Sequence, residues 1–181
     1  MKVLTETKRF LLREFEATDV DALYELDCDP EVHRFLGNKP VTDKAQLSVV
    51  IKYIRQQYVD HGIGRWAVID KENNEFVGWS GLKFVTDMTN NHSNFYDLGY
   101  RLIRKHWGKG IATETAIASL DYAYNQIKTD KVYASAAIDN HASNNVLRKI
   151  GMSLIDKYNY DDIECNWFCI TKEEYSKRYN V

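Results

Sequence analysis

The chain has 181 residues, enough for one domain with its own hydrophobic core. Its 24 basic and 26 acidic residues give a formal net charge of −2, so the overall charge indicates no nucleic-acid partner. The N-terminal segment MKVLTETKRF lacks the apolar core of a secretion signal, and no run of about 18 apolar residues indicates a membrane span. We therefore expect one cytoplasmic domain over residues 1–181, with neither nucleic acid nor membrane among its partners.

The first third of the chain predicts one strand followed by three helices. Residues 8–15, KRFLLREF, alternate enough for a strand. Thr18 or Asp19 can cap a first helix, and a short second helix can follow Asp29-Pro30, because proline suits the first helical position. A longer helix begins after Thr42-Asp43 and carries an apolar stripe, which consists of Leu47, Val50, Ile51, Ile54 and Tyr58.

The middle of the chain predicts three strands in succession. They cover residues 65–69, 75–85 and about 95–103. Gly78 and Gly81 lie inside the second of these strands, where glycine indicates a bulge or a close approach of two backbones.

The last part of the chain alternates helices and strands. A helix begins after Gly110, a strand covers residues 131–138, and a second helix covers about 142–150. Two final strands, near 152–160 and 163–170, precede a short polar tail helix. This order predicts an α/β or α+β fold, in which a mixed sheet carries helices on its faces.

Gly108 and Gly110 lie between a predicted strand and an alanine-rich helix. Glycine at alternate positions permits positive φ and removes side chains that would block a ligand. The free backbone N–H groups and the positive end of the helix suit a phosphate, and Lys109 adds charge at the rim. A plain strand-to-helix turn has the same pattern. The segment matches neither G-x-x-x-x-G-K-[ST] nor G-x-G-x-x-G, so neither an ATP nor an NAD site is indicated.

The three cysteines, Cys28, Cys165 and Cys169, cannot all pair within one chain. Their spacing matches no common zinc pattern. We therefore expect reduced thiols and no metal site.

Four segments of the sequence, in order, share the pattern of one family. The most specific is residues 97–100, DLGY, followed by residues 107–114, WGKGIATE. In this segment Gly110 and Ala112 take the two small positions of the motif [Q/R]-x-x-G-x-[G/A], and Trp107 stands where Gln or Arg is usual. The other segments are residues 7–13, TKRFLLR, against T-x-R-L-x-L-R; residues 77–82, VGWSGL; and residues 140–152, NHASNNVLRKIGM, against N-x-x-S-x-x-V-L-x-K-x-G-F.

These segments resemble the GNAT superfamily of N-acetyltransferases, and the W-G-K-G string is typical of its ribosomal-protein N-terminal (RimJ/RimL-type) branch. The resemblance implies a mixed, mostly antiparallel central sheet of about six to seven strands, flanked by helices on both faces. It implies acetyl-CoA as co-substrate, no metal, and direct acetyl transfer to a primary amine in a ternary complex. Protein α-amines and small-molecule amines are both acceptors in this family, and a homodimer is common in it.

The resemblance also implies where the cofactor lies. Backbone amides of the glycine turn hold the pyrophosphate, and the pantetheine arm lies along the preceding strand end, much as a peptide adds to a sheet edge. Asn140 binds the pantetheine or positions a water. The predicted cofactor-binding residues are Leu102, Ile103, Arg104, Gly108, Lys109, Gly110, Ile111, Ala112, Thr113 and Asn140.

Two residues are predicted to move protons. Asp97 is the predicted base, directly or through a water, and a salt-bridged strand carboxylate is the other interpretation of this residue. Leu147 stands seven residues after Asn140, where many members of the family have a tyrosine. Ser143 is therefore the predicted acid, by its hydroxyl or an ordered water, with helix capping as its alternative role. Secondary acid candidates are Tyr100, Tyr133 and His141.

Two other classes of function share these features. The missing tyrosine leaves a non-catalytic acyl-CoA-binding or sensing module open, and the glycine turn alone leaves an ATP-binding protein open. An amine acceptor is expected between the N-terminal helices, the loop at 86–94 and the final strands. Carboxylates recur in those regions, at Asp27, Asp29, Glu31, Asp87, Asp161, Asp162 and Glu164.

Overall fold

An eight-stranded sheet runs through the computed structural model, which describes residues 2–181. The strands are β1 (Val3–Glu6), β2 (Phe10–Arg13), β3 (Arg65–Asp70), β4 (Phe76–Val85), β5 (Phe95–Leu102), β6 (Lys131–Ala137), β7 (Ser153–Tyr160) and β8 (Ile163–Thr171). The helices are α1 (Val20–Asp27), α2 (Pro30–His33), α3 (Lys44–His61), α4 (Ile111–Tyr122), α5 (His141–Lys149) and α6 (Lys172–Tyr179).

The spatial order of the strands is β1-β2-β3-β4-β5-β6-β8-β7, and every neighbouring pair is antiparallel except β5 and β6. β5 pairs with β4 along its whole length, from Phe95 to Leu102. With β6 it pairs only at its beginning, Tyr96 with Val132 and Asp97 with Tyr133. The two parallel strands therefore separate toward their C-terminal ends and leave a gap in the sheet.

Each face of the sheet carries its own hydrophobic core, so the expectation of helices on both faces is confirmed. Side chains alternate between the faces along a strand, and in β3 Trp66 packs into one core while its neighbour Ala67 packs into the other. The first core includes Leu120 of α4 and Leu147 of α5. The second is covered by α1 and α3, and includes Leu23. We call these the α4–α5 face and the α1–α3 face.

The sheet has one strand more than the expected six or seven, because β1 precedes the predicted first strand at 8–15, which corresponds to β2 alone. β1 and β2 form an antiparallel hairpin with a register shift between Val3 and Thr5. β1 is four residues long and lies at the edge of the sheet, where its exposed positions give no alternating pattern.

Local signals located the helix starts with one error. Asp29 and Asp43 accept hydrogen bonds from backbone amides of α2 and α3, each at 2.9 Å, as predicted. Asp19 precedes α1, but its side chain does not cap that helix. Its two oxygens instead accept from Arg13, each at 2.7 Å, and one also accepts from the backbone N–H of Glu16.

The predicted stripe of α3 is correct except at one position. Leu47 and Ile51 are buried, whereas Val50 is 39% exposed. Val50 lies about 100° around the helix from Ile51, at the edge of the stripe, where solvent reaches it. Within residues 2–181 no helix has both the length and the apolar character needed to cross a bilayer.

Gly78 of β4 confirms the expected close approach of two backbones, whereas Gly81 makes room for the side chain of Trp66. Gly78 has a φ of +148°, and a Cβ there would overlap the carbonyl oxygen of Arg101 on β5. The pairing of β3 with β4 shifts register between Val68 and Ile69, next to this glycine. Any side chain at Gly78 would push β5 away from β4.

Candidate active site

The glycine turn connects the end of β5 to the beginning of α4 and has the backbone conformation that the sequence predicts. Gly108 and Gly110 have φ of +74° and +76°, and Gly110 is the N-cap of α4. The first helical bond runs from the N–H of Glu114 to the carbonyl of Gly110, at 3.1 Å. The amides of residues 111–113 therefore have no partner within the helix. Because Gly108, Lys109 and Gly110 are exposed, these amides open onto a surface suited to an anion.

Arg9, which the site prediction omitted, holds this turn from the β2 side. Its Nη1 and Nη2 each donate to the carbonyl oxygen of Lys109 at 3.1 Å, and its Nε donates to Glu114 Oε2 at 2.8 Å. The sequence feature that could have identified Arg9 is its position at the first arginine of the pattern T-x-R-L-x-L-R. That position belongs to the glycine turn in space, although it lies 100 residues away in sequence.

The strand end predicted to hold pantetheine presents its backbone to the gap. The side chains of Leu102 and Ile103 are 8% and 5% exposed, so both belong to the core. The N–H of Ile103 donates to Val77 on β4 at 3.0 Å, and alternate residues of an antiparallel strand point the other way. The backbone groups of Leu102 thus face the gap, where Trp107 Nε1 donates to its carbonyl at 2.8 Å. Arg104 is exposed in a short 3₁₀ turn just beyond.

Asp97, the predicted base, lies on β5 at the last residue pair before the gap opens. Its carboxylate forms an ion pair with Arg65, whose Nη1 also donates to the carbonyls of Asp97 and Gly81, each at 2.6 Å. A Cβ on Gly99 would lie 2.8 Å from the Arg65 guanidinium carbon, so glycine at this position leaves room for the arginine. The Asp97 side chain is 20% exposed and is both ion-paired and reachable.

The start of α5 corrects one prediction about Ser143 and adds a partner to it. Asn140 is the N-cap, because its Oδ1 accepts from the N–H of Ser143 at 3.1 Å. The alternative that Ser143 caps this helix is therefore wrong, since a cap must precede the first turn and Ser143 lies within it. The Ser143 Oγ instead lies 3.1 Å from the hydroxyl of Tyr100, which also donates to the Ser143 carbonyl at 3.1 Å.

Burial determines the protonation state of Tyr100. Removal from water raises the pKa of its hydroxyl to about 12, against a smaller opposing effect of the hydrogen bond with Ser143. The phenol therefore keeps its proton throughout the neutral range. Leu147, which occupies the usual tyrosine position, is 1% exposed and lies in the core.

The predicted base and the hydroxyl pair lie on opposite faces of β5, because Asp97 and Tyr100 are three residues apart in a strand. Arg101, on the same face as Asp97, pairs with Asp27 of α1 at 2.7 Å, which identifies this as the α1–α3 face. Tyr100 contacts α5 on the α4–α5 face. A ligand in the gap would thus have a carboxylate on one side and two hydroxyls on the other.

Only some of the expected acceptor carboxylates surround a cavity. Asp27 is buried and held by Arg101 and His33, so it is unavailable to a substrate. Asp162 and Glu164 line a cavity of about 360 Å³ at the C-terminal end of β6. Its remaining lining residues are Arg34, Phe35, Gly37, Asn38, Ala137, Ile138, Asp139 and Ile163. Among residues 2–181 no cluster of His, Cys, Asp and Glu is arranged to hold a metal ion.

Comparison with known proteins places this chain in a class of acyltransferases. A family model described as the acetyltransferase (GNAT) domain matches residues 9–153. An uncharacterized N-acetyltransferase, p20, of Bacillus licheniformis is 29% identical over 176 residues, which are 94% of this chain and 97% of that protein. The chain belongs to the GNAT acetyltransferase family and is an acyltransferase. Acetyl-CoA is the acyl donor typical of that family.

Two solved structures share the fold. One is RimL, a ribosomal L7/L12 α-N-protein acetyltransferase in complex with coenzyme A (TM-score 0.79, 17% identity, 94% of this chain and 98% of that chain). The other is a spermidine N-acetyltransferase from Vibrio cholerae in complex with CoA and spermine (TM-score 0.74, 17% identity, 93% and 99%). At these identities the likeness is one of fold, and the acceptor has to be argued from this chain's own residues.

Proposed function

We propose that the protein transfers the acetyl group of acetyl-CoA to a primary amine by direct attack in a ternary complex. The acceptor is a protein N-terminal α-amine or a small-molecule amine. The observation that carries the proposal is the gap between β5 and β6, which opens just after Asp97 and runs along β5 toward the glycine turn. A thin, amide-bearing arm with a phosphate end fits such a gap, because it can bond to strand backbone and to turn amides together.

Acetyl-CoA would be bound by backbone groups more than by side chains. The amides of Gly108 to Thr113 would hold the pyrophosphate, and the exposed cations Arg104 and Lys109 would add charge beside it. The backbone N–H of Leu102, which faces the gap, would bind the pantetheine, and Ile103 and Arg104 would lie beside it. Asn140 already uses its side-chain oxygen to cap α5, so its amide NH₂ is the group assigned to the cofactor.

Asp97 is proposed to take a proton from the ammonium of the acceptor, directly or through a water, which leaves the neutral amine that attacks the thioester carbonyl. In support, its carboxylate lies at the point where the gap opens and is held in one orientation by Arg65. The pair also competes with this role, since a proton added to the carboxylate weakens its attraction to the arginine. Asp97 therefore has to hold the proton only transiently, in a hydrogen bond shared with the acceptor or a water.

Ser143 is proposed to supply the proton that the departing CoA sulfur requires. Its hydroxyl lies at the beginning of α5 and is bonded to that of Tyr100, which stays protonated at neutral pH. Two hydrogen-bonded hydroxyls can relay a proton to the sulfur, and a proton from solvent then replaces it. This pair supplies a donor in place of the missing family tyrosine and therefore supports an enzyme over a non-catalytic acyl-CoA-binding or sensing module.

The acceptor is proposed to enter through the cavity at the end of β6. That cavity lies where β6 has separated from β5, and α2, which leads into it, packs on the α1–α3 face that carries Asp97. Three carboxylates, Asp139, Asp162 and Glu164, outnumber the single cation Arg34 in its lining. This charge balance favours a cationic amine.

The test is an acceptor screen with purified protein. Release of CoA from acetyl-CoA is measured with N-terminal peptides, polyamines, amino acids and aminoglycosides, while calorimetry measures acetyl-CoA binding with and without ATP. We expect acetyl-CoA binding that ATP does not displace, and turnover with at least one class of amine. Tight binding without turnover across the panel would favour the sensing module, and displacement by ATP would favour a nucleotide site.

A further inference from the structure

We propose that Arg9 is a positioning residue for the pyrophosphate of acetyl-CoA, acting by fixing the orientation of the Lys109–Gly110 peptide. This inference depends on the proposed function, because it assigns the glycine turn to that pyrophosphate. Arg9 itself bonds to the Lys109 carbonyl, and a bound pyrophosphate would lie on the other side of the turn. It acts through the backbone of the turn.

The arginine is fixed at both ends of its guanidinium. Nη1 and Nη2 share the carbonyl oxygen of Lys109, each at 3.1 Å, while Nε donates to Glu114 Oε2 at 2.8 Å. The backbone N–H of Arg9 reaches the second oxygen of Glu114 at 3.2 Å. The planar fork of a guanidinium matches two acceptors at set angles, which an ammonium cannot do.

The base of Arg9 is fixed as well. The hydroxyl oxygen of Thr7 accepts from the N–H groups of Arg9 and Phe10, at 3.2 and 2.9 Å. Phe10 is 1% exposed and packs in the core. The hairpin formed by β1 and β2 therefore fixes the position of Arg9 next to the turn, although the Arg9 side chain is 44% exposed.

The consequence for the turn follows from the planarity of the peptide bond. In a trans peptide the carbonyl of one residue and the N–H of the next point in opposite directions. With the Lys109 carbonyl bonded to Arg9, the Gly110 N–H points away from β2, to the side where an anion would bind. Gly110 has a positive φ of +76°, a region in which glycine is conformationally free, so this peptide needs an external restraint.

Arg9 also neutralises a carboxylate next to the anion site. Glu114 is in the first turn of α4, where a second negative charge would oppose the binding of a phosphate. Burial works to raise the pKa of Glu114, but hydrogen bonds from Thr7 and Arg9, with the charge of Arg9, outweigh it and lower the pKa. The carboxylate thus stays ionised and remains a firm partner for the arginine.

The discriminating variant is Arg9→Lys, which keeps the charge and loses the fork. We expect it to weaken CoA binding by about 10- to 100-fold in calorimetry, and Arg9→Gln to weaken it at least as much. Lys8→Gln is the matched control, because it removes the charge of an exposed neighbour on the same hairpin. This control should bind CoA like the wild type. S-acetyl-pantetheine, a donor without pyrophosphate, should give the same kcat/KM with Arg9→Lys as with the wild type.

Two results would overturn the positioning role. Arg9→Lys binding CoA as tightly as the wild type would show that charge alone is needed, and an equal relative loss with S-acetyl-pantetheine would show a general structural defect. Circular dichroism confirms that the two Arg9 variants fold. Failure of the wild type itself to bind CoA would overturn the proposed function, a result distinct from any ranking of the variants.

Discussion

The hydroxyl oxygens of Tyr100 and Ser143 lie 3.1 Å apart and connect β5 to the first turn of α5. Tyr100 lies on β5 beyond its last pair with β6, and Ser143 lies on the helix that follows β6, so their contact connects the two chain segments where the strands no longer pair. Tyr100 also bonds to the Ser143 carbonyl, and this second contact fixes the direction of the phenol. A phenol has one proton, so when Tyr100 donates to this carbonyl the Ser143 hydroxyl is the donor between the two oxygens, and both groups are oriented before any ligand arrives.

Removal of either hydroxyl is expected to lower the rate of transfer and leave CoA binding intact. Ser143→Ala should lower kcat by about 100-fold or more, within the range typical of general acids. Tyr100→Phe should lower it less, about 10-fold, because the serine keeps its own proton. Steady-state kinetics gives kcat, and calorimetry gives the affinity for CoA. Because the pKa of Tyr100 is about 12, its ionisation should produce no alkaline limb in the rate below about pH 11.

A wild-type kcat in Ser143→Ala would contradict the assignment and leave an ordered water as the donor. A comparable loss in affinity and in kcat would point to damage of α5 instead. Asn145→Ala is the control for such damage, because it changes an exposed residue of the same helix.

The sequence predicted the glycine turn well because the requirement for positive φ is local. Glycine at positions 108 and 110 indicates it by residue type alone, and the φ values of the structure agree. The same holds for Asp43 as the cap of α3 and for Gly78 beside β5. Capping, turn conformation and strand alternation depend on residues only a few positions apart.

The contact partners of the site residues could not be predicted from such local patterns, because they lie far away in the sequence. Arg9 and Lys109 are in contact although 100 residues separate them in the sequence. The separation is 32 residues for Arg65 and Asp97, and 43 for Tyr100 and Ser143. Periodicity carries no information on such contacts, which depend on strand order. The ion pair of Asp97 was one of two interpretations of the sequence, and the identity of its partner required the sheet.

Substitution of Gly110 by tryptophan is expected to abolish acetyl-CoA binding, because an indole there would block the turn and crowd Arg9, whose Nη2 lies 3.8 Å from the position of a Cβ. The matched control is Gly62→Trp at the C-terminus of α3. Gly62 has a φ of +70°, close to the +76° of Gly110, and a Cβ there would meet nothing within 4 Å. Both variants therefore carry a similar strain of about 1–2 kcal/mol. Calorimetry with acetyl-CoA should separate them, and wild-type affinity in Gly110→Trp would show that the site lies elsewhere.

Substitution of Asp97 by asparagine is expected to leave acetyl-CoA binding intact and to lower kcat at neutral pH by about 100-fold or more. The amide still accepts a hydrogen bond from Arg65 but cannot take a proton from the amine. Thermal unfolding should register the weakened pair as a loss of about 1–3 kcal/mol. Asp21→Asn, which breaks a solvated pair with Lys44, is the control for charge. Unchanged kcat in Asp97→Asn would assign Asp97 a structural role alone.

The stability of the protein is expected to fall in mild acid because of His33. This residue of α2 is 7% exposed, lies 3.5 Å from Asp27, and faces Arg101 across that carboxylate. Burial, together with the charge of Arg101, lowers the pKa of His33 despite the opposing effect of Asp27. The unfolded chain then binds a proton at a pH where the folded chain does not. The stabilisation is complete above the ordinary pKa of about 6.5 and is lost as the pH falls toward the folded-state value.

His33→Gln should remove this part of the pH dependence, since glutamine has no proton to bind over that range. Urea unfolding gives the free energy of unfolding at intervals from about pH 8 to about pH 5. Over this range the free energy should decline less for the variant than for the wild type. His141→Gln changes an exposed histidine and should decline like the wild type. If His33→Gln also declined with the wild-type slope, the acid sensitivity would have to come from carboxylates, and the contact of His33 with Asp27 would be one of packing alone.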